Sequence, residues 1–107
     1  MTYEVLLADE AESDLLEIYR YVAFSDSLEK ADQLLDRLEE LVQALDRLPS
    51  RGHIPPELAR IGVTDYREVH FKPYRVIYRI EGRRVLVYCV LDGRRDLQSL
   101  LQQRLLR

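Results

Sequence analysis

The feature that most constrains the fold is a change of hydrophobic period near the middle of the chain. Between residues 11 and 48, apolar side chains recur every three or four positions, which is the spacing of an amphipathic helix. Between residues 66 and 91, three shorter runs rich in Tyr, Val and Ile replace that pattern and indicate β-strands. The sequence therefore predicts an α+β domain whose helices precede most of its sheet.

The helical half begins after a short strand. Residues 3–8 form an apolar run that predicts this strand, and Asp9 with Glu12 has the spacing of a capping box, which predicts that the first helix starts there. Residues 25–27, Ser-Asp-Ser, interrupt the pattern and supply an N-cap for a second helix, whose apolar stripe runs to Leu48 before a proline. Two successive amphipathic helices predict an antiparallel helical hairpin.

The second half predicts a three-stranded antiparallel meander followed by a short C-terminal helix. Between the hairpin and the meander we expect a loop, then a turn or short helix at residues 57–63. The predicted strands are residues 66–71, 74–80 and 85–91, and the leucines that predict the terminal helix are Leu97, Leu100, Leu101 and Leu105.

Alternation along the middle strand predicts two different sheet faces. Val76, Tyr78 and Ile80 point to one side, which suits packing against the helices. Arg75, Ile77 and Arg79 point to the other side, where the arginines either bind a partner or serve only solubility and pair with acids such as Glu68 and Glu81. We therefore expect the second face of the sheet to be open and basic.

Length and composition predict one domain spanning residues 1–107. The chain has 107 residues, 47% of them apolar, which is enough for a single core. No stretch approaches the roughly 18 uninterrupted apolar residues of a membrane span, and the start does not resemble a signal peptide, so we expect a cytoplasmic protein with no membrane contact. Cys89, the lone cysteine, lies in an apolar run and is predicted to be a buried hydrophobe.

Charge divides unevenly along the chain. Residues 1–48 carry 13 acidic and four basic side chains, a net charge of −9, whereas residues 49–107 carry six acidic and twelve basic ones, a net charge of +6. The basic half suggests a partner or substrate of negative charge. The alternative is that helix surfaces simply favour Glu and Asp, and charge alone leaves it open.

The sequence predicts neither a metal nor a cofactor. His53 falls in a loop and His70 in a strand, with no second His or Cys close by in sequence. A nucleophile elbow, a phosphate-cradling glycine loop and a zinc ligand set are also missing from the sequence. Conventional metabolic catalysis therefore has no support.

The order strand, helical hairpin, meander resembles the ParE/RelE toxin superfamily from residue 3 to about residue 105. Three segments carry the resemblance: Ala11-Glu12-Ser13-Asp14-Leu15 with Ile18-Tyr19, Lys72-Pro73-Tyr74-Arg75-Val76-Ile77-Tyr78-Arg79, and Val90-Leu91-Asp92-Gly93-Arg94-Arg95-Asp96-Leu97. The resemblance implies a toxin of a type II toxin–antitoxin system, held inactive by a cognate antitoxin. In this superfamily the ParE branch corrupts DNA gyrase, and the RelE branch cleaves messenger RNA on the ribosome.

A comparison with the functional residues of the ribonuclease branch favours the gyrase branch, because several of those residues are replaced in this chain. Arg75 and Arg95 align with its two functional arginines, but its two strand lysines align with Tyr66 and Glu68, and its C-terminal tyrosine aligns with Leu101. The acid–base complement that RNA cleavage needs is therefore incomplete. A ParE-like inhibitor of gyrase is the prediction. A ribosome-dependent endoribonuclease using Arg75, Arg95 and Glu68 is the alternative, because some family ribonucleases use a glutamate base. A family member that only binds its antitoxin is a third alternative.

The resemblance also implies a partner, a ParD- or RelB-like antitoxin. An antitoxin's acidic segment would need cations on the toxin surface. The residues predicted to bind such a partner are Arg67, Arg75, Arg79, Arg94 and Arg95.

Overall fold

A computed structural model describes residues 2–106, which form one mixed sheet flanked by helices. The elements are β1 (Glu4–Leu7), α1 (Asp9–Ser25), α2 (Leu28–Gln43), α3 (Pro56–Ala59), β2 (Arg67–Phe71), β3 (Tyr74–Glu81), β4 (Arg84–Asp92) and α4 (Leu97–Leu105). Two 3₁₀ turns, Ala44–Asp46 and Pro49–Arg51, lie between α2 and α3. The α+β class, the helical hairpin, the meander and the terminal helix are all confirmed.

The sheet has the order β1-β4-β3-β2. The meander strands pair antiparallel, and β1 adds to the outer edge of β4 in parallel. The register of β3 against β4 shifts between Ile77 and Tyr78, which face Cys89 and Val87, so that Tyr88 is the extra residue of a β-bulge. This bulge lies between the two central strands of the sheet.

The two long helices begin differently. The capping box at Asp9 is wrong, since Ala8 is the N-cap and no side chain caps α1. Asp9 and Glu12 instead lie in the first turn, where their negative charge interacts favourably with the positive end of the helix dipole. The second cap is confirmed, because the Ser27 hydroxyl accepts a hydrogen bond from the backbone N–H of Lys30.

Within residues 2–106 no helix combines the length and the apolar character needed to cross a membrane.

Helix α2 ends earlier than its apolar stripe predicted. It stops at Gln43 and tightens into a 3₁₀ turn, which keeps Leu45 buried. Leu48 then takes a positive φ of 51° and is exposed, so the prediction that it belongs to the stripe is wrong. The change of pitch and the left-handed residue turn the chain away from the core before Pro49.

The main core lies between the helical hairpin and one face of the sheet. Leu38 and Tyr78 are fully buried there. The Tyr78 hydroxyl donates to the carbonyl of Pro49 and accepts from the backbone N–H of Gly52 at 3.1 Å, so the loop after α2 is anchored to β3. The buried members of this core are Ala11, Leu15, Leu38, Val42, Leu45, Tyr74, Val76, Tyr78, Val85, Val87 and Val90.

A second core covers the face of the sheet that we predicted to be open. Helices α3 and α4 pack on this face over Ile77 and Cys89, both of which have no exposed surface. The prediction of an open face is therefore wrong, because Ile77 lies between Arg75 and Arg79 and needed an apolar cover. Cys89 is confirmed as a buried hydrophobe, and burial raises the pKa of its thiol to about 12. The members of this core are Leu58, Tyr66, Ile77, Cys89, Leu91, Leu97 and Leu101.

Candidate functional site

Arg75 is the centre of an ion-pair network at the end of the sheet. Its Nη1 and Nη2 donate to the two carboxylate oxygens of Glu57, each at 2.7 Å. Its Nε donates to Oε1 of Glu68 at 2.5 Å, and Nη2 also donates to Oε2 at 2.9 Å. Residue 57 comes from α3 and residue 68 from β2, so the guanidinium of β3 is held between two carboxylates, and only 14% of its side chain is exposed.

The network shifts the pKa values of Glu57 and Arg75 in opposite directions. The hydrogen bond from Arg75 lowers the pKa of Glu57 against an opposing effect of burial. The hydrogen bond to Glu57 is likewise the largest cause that raises the pKa of Arg75, with Glu68 adding to it. Glu57 and Arg75 therefore stay charged at neutral pH. Two carboxylates face one guanidinium, which leaves an excess of one negative charge before other groups are counted.

Two histidines complete the surroundings of Glu68, whose side chain is only 1% exposed. Nε2 of His53 lies 3.1 Å from Oε2, and Nε2 of His70 lies 2.9 Å from Oε1. The two imidazole rings are 5.1 Å apart and edge-to-face. No second His or Cys lies near either histidine in sequence, but the fold makes the two histidines neighbours in space. Chemically, the pair of Glu68 and His70 could also move a proton, since each is within hydrogen-bonding distance of the other.

The fold explains why these groups meet. The backbone N–H of His53 donates to the carbonyl of Glu68 at 3.2 Å, and the N–H of Glu68 donates to the carbonyl of His53 at 2.8 Å. This isolated β-bridge brings the loop after α2 onto β2. His70 lies two residues beyond Glu68 on the same strand and therefore on the same face.

A cavity of about 310 Å³ opens beside Arg75, at the junction of the β2–β3 turn and the end of β4. Gly93 borders it so closely that a Cβ there would lie 3.0 Å from Cδ of Arg75 and 2.9 Å from the carbonyl of Pro73. A side chain at position 93 would therefore displace the arginine. The lining residues are His70, Lys72, Pro73, Tyr74, Arg75, Gly93 and Arg94.

Two of the other predicted partner-binding arginines lie away from the cavity beside Arg75. Arg67 pairs with Tyr78 across β2 and β3, so it lies on the opposite side of the sheet, where it donates to the carbonyl of Gly52 at 2.7 Å. Arg79 lies over the ring of Tyr66 and 3.4 Å from Asp65. Neither Arg67 nor Arg79 borders the cavity beside Arg75.

Arg94 and Arg95 lie after β4 and point to different places. Arg94 borders the cavity beside Arg75 and donates to Oδ2 of Asp92 at 2.7 Å, which lowers the pKa of that carboxyl. Arg95 is exposed and borders a separate groove between α1 and α4. Of the five predicted arginines, the structure thus brings only Arg75 and Arg94 to one cavity.

A second surface lies on the helical hairpin. An apolar groove of about 420 Å³ runs along α1, lined by Leu7, Glu12, Leu15, Leu16, Tyr19, Leu35 and Glu39. Near the end of the same helix, Phe24 is 95% exposed, and Tyr21 and Leu28 are also exposed. An apolar groove on an otherwise acidic hairpin is typical of a protein-binding surface.

Sequence reasoning missed Glu57, His53 and His70 as members of the site. Glu57 was treated only as part of a turn or short helix, and nothing in its neighbourhood marks it as the partner of an arginine 18 residues away. Only the spacing of Glu68 and His70 at i and i+2 on a predicted strand carried a signal, because it places both on one face.

The fold is shared with solved toxin–antitoxin proteins. A chain from the chromosomal ParDE toxin–antitoxin system of P. aeruginosa superposes with a TM-score of 0.70 at 20% identity, covering 83% of this chain and 94% of that one. A chain from the RelBE2 toxin–antitoxin complex of Mycobacterium tuberculosis gives a TM-score of 0.65 at 21% identity, covering 86% and 92%. The structure therefore has the ParE/RelE fold.

Sequence comparison narrows this class to a family. Residues 5–97 match the family described as the ParE toxin of type II toxin–antitoxin systems, parDE. The toxin ParE3 of Caulobacter vibrioides is 32% identical over 88 residues, which are 82% of this chain and 84% of that protein. The chain belongs to the ParE toxin family of type II toxin–antitoxin systems.

Proposed function

We propose that this chain acts in the cytoplasm as a ParE-type toxin that inhibits DNA gyrase and is neutralised by a cognate ParD-like antitoxin. The observation that carries the choice of gyrase over messenger RNA is the state of Arg75. A ribonuclease of the related RelE type needs this strand arginine to meet the scissile phosphate. Here the guanidinium is already bound by both oxygens of Glu57 and both oxygens of Glu68.

Charge supports the same choice. A phosphate entering beside Arg75 would have to displace one of two carboxylates that sit at 2.5–2.9 Å, or approach both. Charge-assisted bidentate pairs of this kind are among the strongest hydrogen bonds in proteins. In this arrangement Arg75 holds α3 against the sheet, and the toxin's action would depend on protein contacts elsewhere on its surface.

A second candidate, the ribosome-dependent endoribonuclease, retains one favourable observation. Glu68 and His70 form an acid–base pair beside a cavity that Lys72, Arg75 and Arg94 also border. A rearrangement on the ribosome that moved Glu57 away would leave an arginine, a carboxylate and an imidazole together. The experiment below therefore measures cleavage of messenger RNA alongside inhibition of gyrase.

The experiment compares the two targets directly. The purified chain is added to DNA gyrase in a supercoiling assay and, separately, to ribosomes programmed with a defined message. We expect loss of supercoiling with the message intact. Codon-specific cuts in the message, with gyrase unaffected, would refute the proposal in favour of the ribonuclease.

Matched variants sharpen this comparison. Arg95→Ala changes an exposed arginine that the ribonuclease hypothesis requires, and Arg83→Ala changes an exposed arginine in the β3–β4 turn. If the chain cleaves RNA, the first variant should lose about a hundredfold in rate and the second should not. If the chain inhibits gyrase, both variants remain folded and neither has any RNA cleavage to lose.

The antitoxin part of the proposal rests on the hairpin surface. An amphipathic segment that folds on binding would place its apolar side in the groove along α1 and over Phe24, and its acidic residues toward the basic second half of the chain. A neighbouring small gene should encode it. Sub-micromolar binding measured by calorimetry is expected, and Phe24→Ser should weaken it without changing the thermal midpoint, because Phe24 buries almost nothing in the free chain. Failure of every adjacent small gene product to bind would refute this part.

A further inference from the structure

The geometry points to a divalent-cation site of the zinc type, formed by His53, Glu68 and His70. One ligand atom from each residue lies within 4.8 Å of the other two. The two imidazole-to-carboxylate distances are 3.1 and 2.9 Å. Ligands held about 2.0–2.1 Å from a tetrahedral Zn²⁺ lie roughly 3.3 Å apart. Both imidazole-to-carboxylate distances, each to a different oxygen of Glu68, are within a few tenths of an ångström of that spacing, and the third pair has to close from no more than 4.8 Å.

The protein holds this ligand set in position before any ion arrives. The two backbone hydrogen bonds between His53 and Glu68 fix the loop to β2, and His70 follows on the same strand. Arg75 orients the Glu68 carboxylate from the opposite side. A hydrogen-bonded partner behind a ligating carboxylate is what metal sites ordinarily use to orient their ligands.

Arg75 and a cation can share Glu68. A carboxylate offers about four lone-pair directions, and the guanidinium uses two of them, one on each oxygen. Glu57 independently holds the same guanidinium at 2.7 Å. Since two carboxylates face one arginine, the excess negative charge at this place favours a cation rather than repelling it.

The donor set selects the class of ion. Imidazole suits zinc and its neighbours among the transition metals, whereas Mg²⁺ and Ca²⁺ prefer all-oxygen sites. Two histidines and one carboxylate give three protein ligands and an open fourth position. The side chains of His53 and His70 are 61% and 40% exposed, so that position faces solvent and can take a water or a group from a bound partner.

The test titrates Zn²⁺ alone into the purified full chain, freed of any histidine tag, by isothermal calorimetry. We expect one ion per chain. His53→Gln and His70→Gln should each weaken binding by at least about tenfold, because each removes one of three protein ligands. Neither histidine side chain is buried, so both variants are expected to fold, which the thermal midpoint without metal would verify. Glu39→Gln, which removes an exposed carboxylate on α2 away from the cluster, is the matched control and should bind as the parent chain does.

A second measurement detects bound Zn²⁺ through the stability of the folded chain. A ligand that binds only the folded chain raises the free energy of unfolding as its concentration exceeds the Kd, so Zn²⁺ should raise the midpoint of the parent chain and of Glu39→Gln but not of the two histidine variants. The absence of saturable one-to-one binding would overturn the site. Equal binding by the parent chain and both histidine variants would also overturn it, and would assign the ions to scattered surface carboxylates.

Discussion

The substitution Arg75→Ala tests whether the ion-pair network at the end of the sheet holds the fold together. It removes four hydrogen bonds and leaves the buried Glu68 facing Glu57 with no guanidinium between them. Removing one partner of a buried ion pair costs about 3–5 kcal/mol, because the remaining charge is left uncompensated. Both histidines still contact the Glu68 carboxylate in this variant, which places the expected loss at the lower end, about 3 kcal/mol. The total free energy of unfolding of a domain of this size is about 5–15 kcal/mol.

Urea unfolding measures this loss as a lower midpoint at an unchanged slope. The matched control is Arg84→Ala, which breaks an exposed pair with Glu4 at 3.4 Å and should cost about 0–1 kcal/mol. The double variant Arg75→Met with Glu68→Leu should recover part of the stability, because an apolar pair needs no counter-charge. If Arg75→Ala and Arg84→Ala cost the same, the network contributes nothing and Arg75 is free to act on a ligand. A large loss means instead that Arg75 supports the fold, so the toxicity of Arg75→Ala has to be compared with that of the parent chain at equal folded fraction.

Three further predictions concern the core, the loop after α2 and pH. Leu38→Ala should lower the free energy of unfolding by about 2–5 kcal/mol, since Leu38 is fully buried between α2 and the sheet; an unchanged thermal midpoint would contradict this packing. Gly52→Ala should cost about 1–3 kcal/mol in the same assay, because a Cβ there would lie 2.6 Å from the carbonyl of Glu68 and against the Tyr78 hydroxyl; a neutral substitution would mean that the loop moves freely. Arg75 lowers the pKa of Glu57 in the folded chain, so the stability that Glu57 contributes is present above its ordinary pKa and lost as the pH falls through the lowered one. Glu57→Gln should therefore flatten the acid limb of a stability–pH profile, and an unaltered limb would assign the acid sensitivity to other groups.

Much of the fold followed from the sequence because its signals are local. The hydrophobic period identified α1, α2 and the three meander strands to within a residue or two at most ends, and Ser27 marked the start of α2 by the chemistry of its own hydroxyl. Local signals also misled. Asp9 and Glu12 have the spacing of a capping box, but a backbone without a side-chain cap starts α1 one residue earlier. Leu48 continues the apolar stripe in sequence, yet the change to a 3₁₀ pitch turns it to solvent.

The sequence by itself determined the order of the elements, the buried stripes and the membership of a toxin family, because each of these depends on residues a few positions apart or on their order along the chain. Only the tertiary structure decided what surrounds Arg75. The alternation of β3 correctly separated Arg75 from Val76, but it carried no information on which distant groups would fill the space beyond. A loop bridge sets His53 beside Glu68, and α3 brings Glu57 from 18 residues away. Contacts of this kind depend on where packed elements come to rest. An arginine predicted on an open face is therefore the mostly covered centre of an ion-pair network, and two histidines 17 positions apart are neighbours.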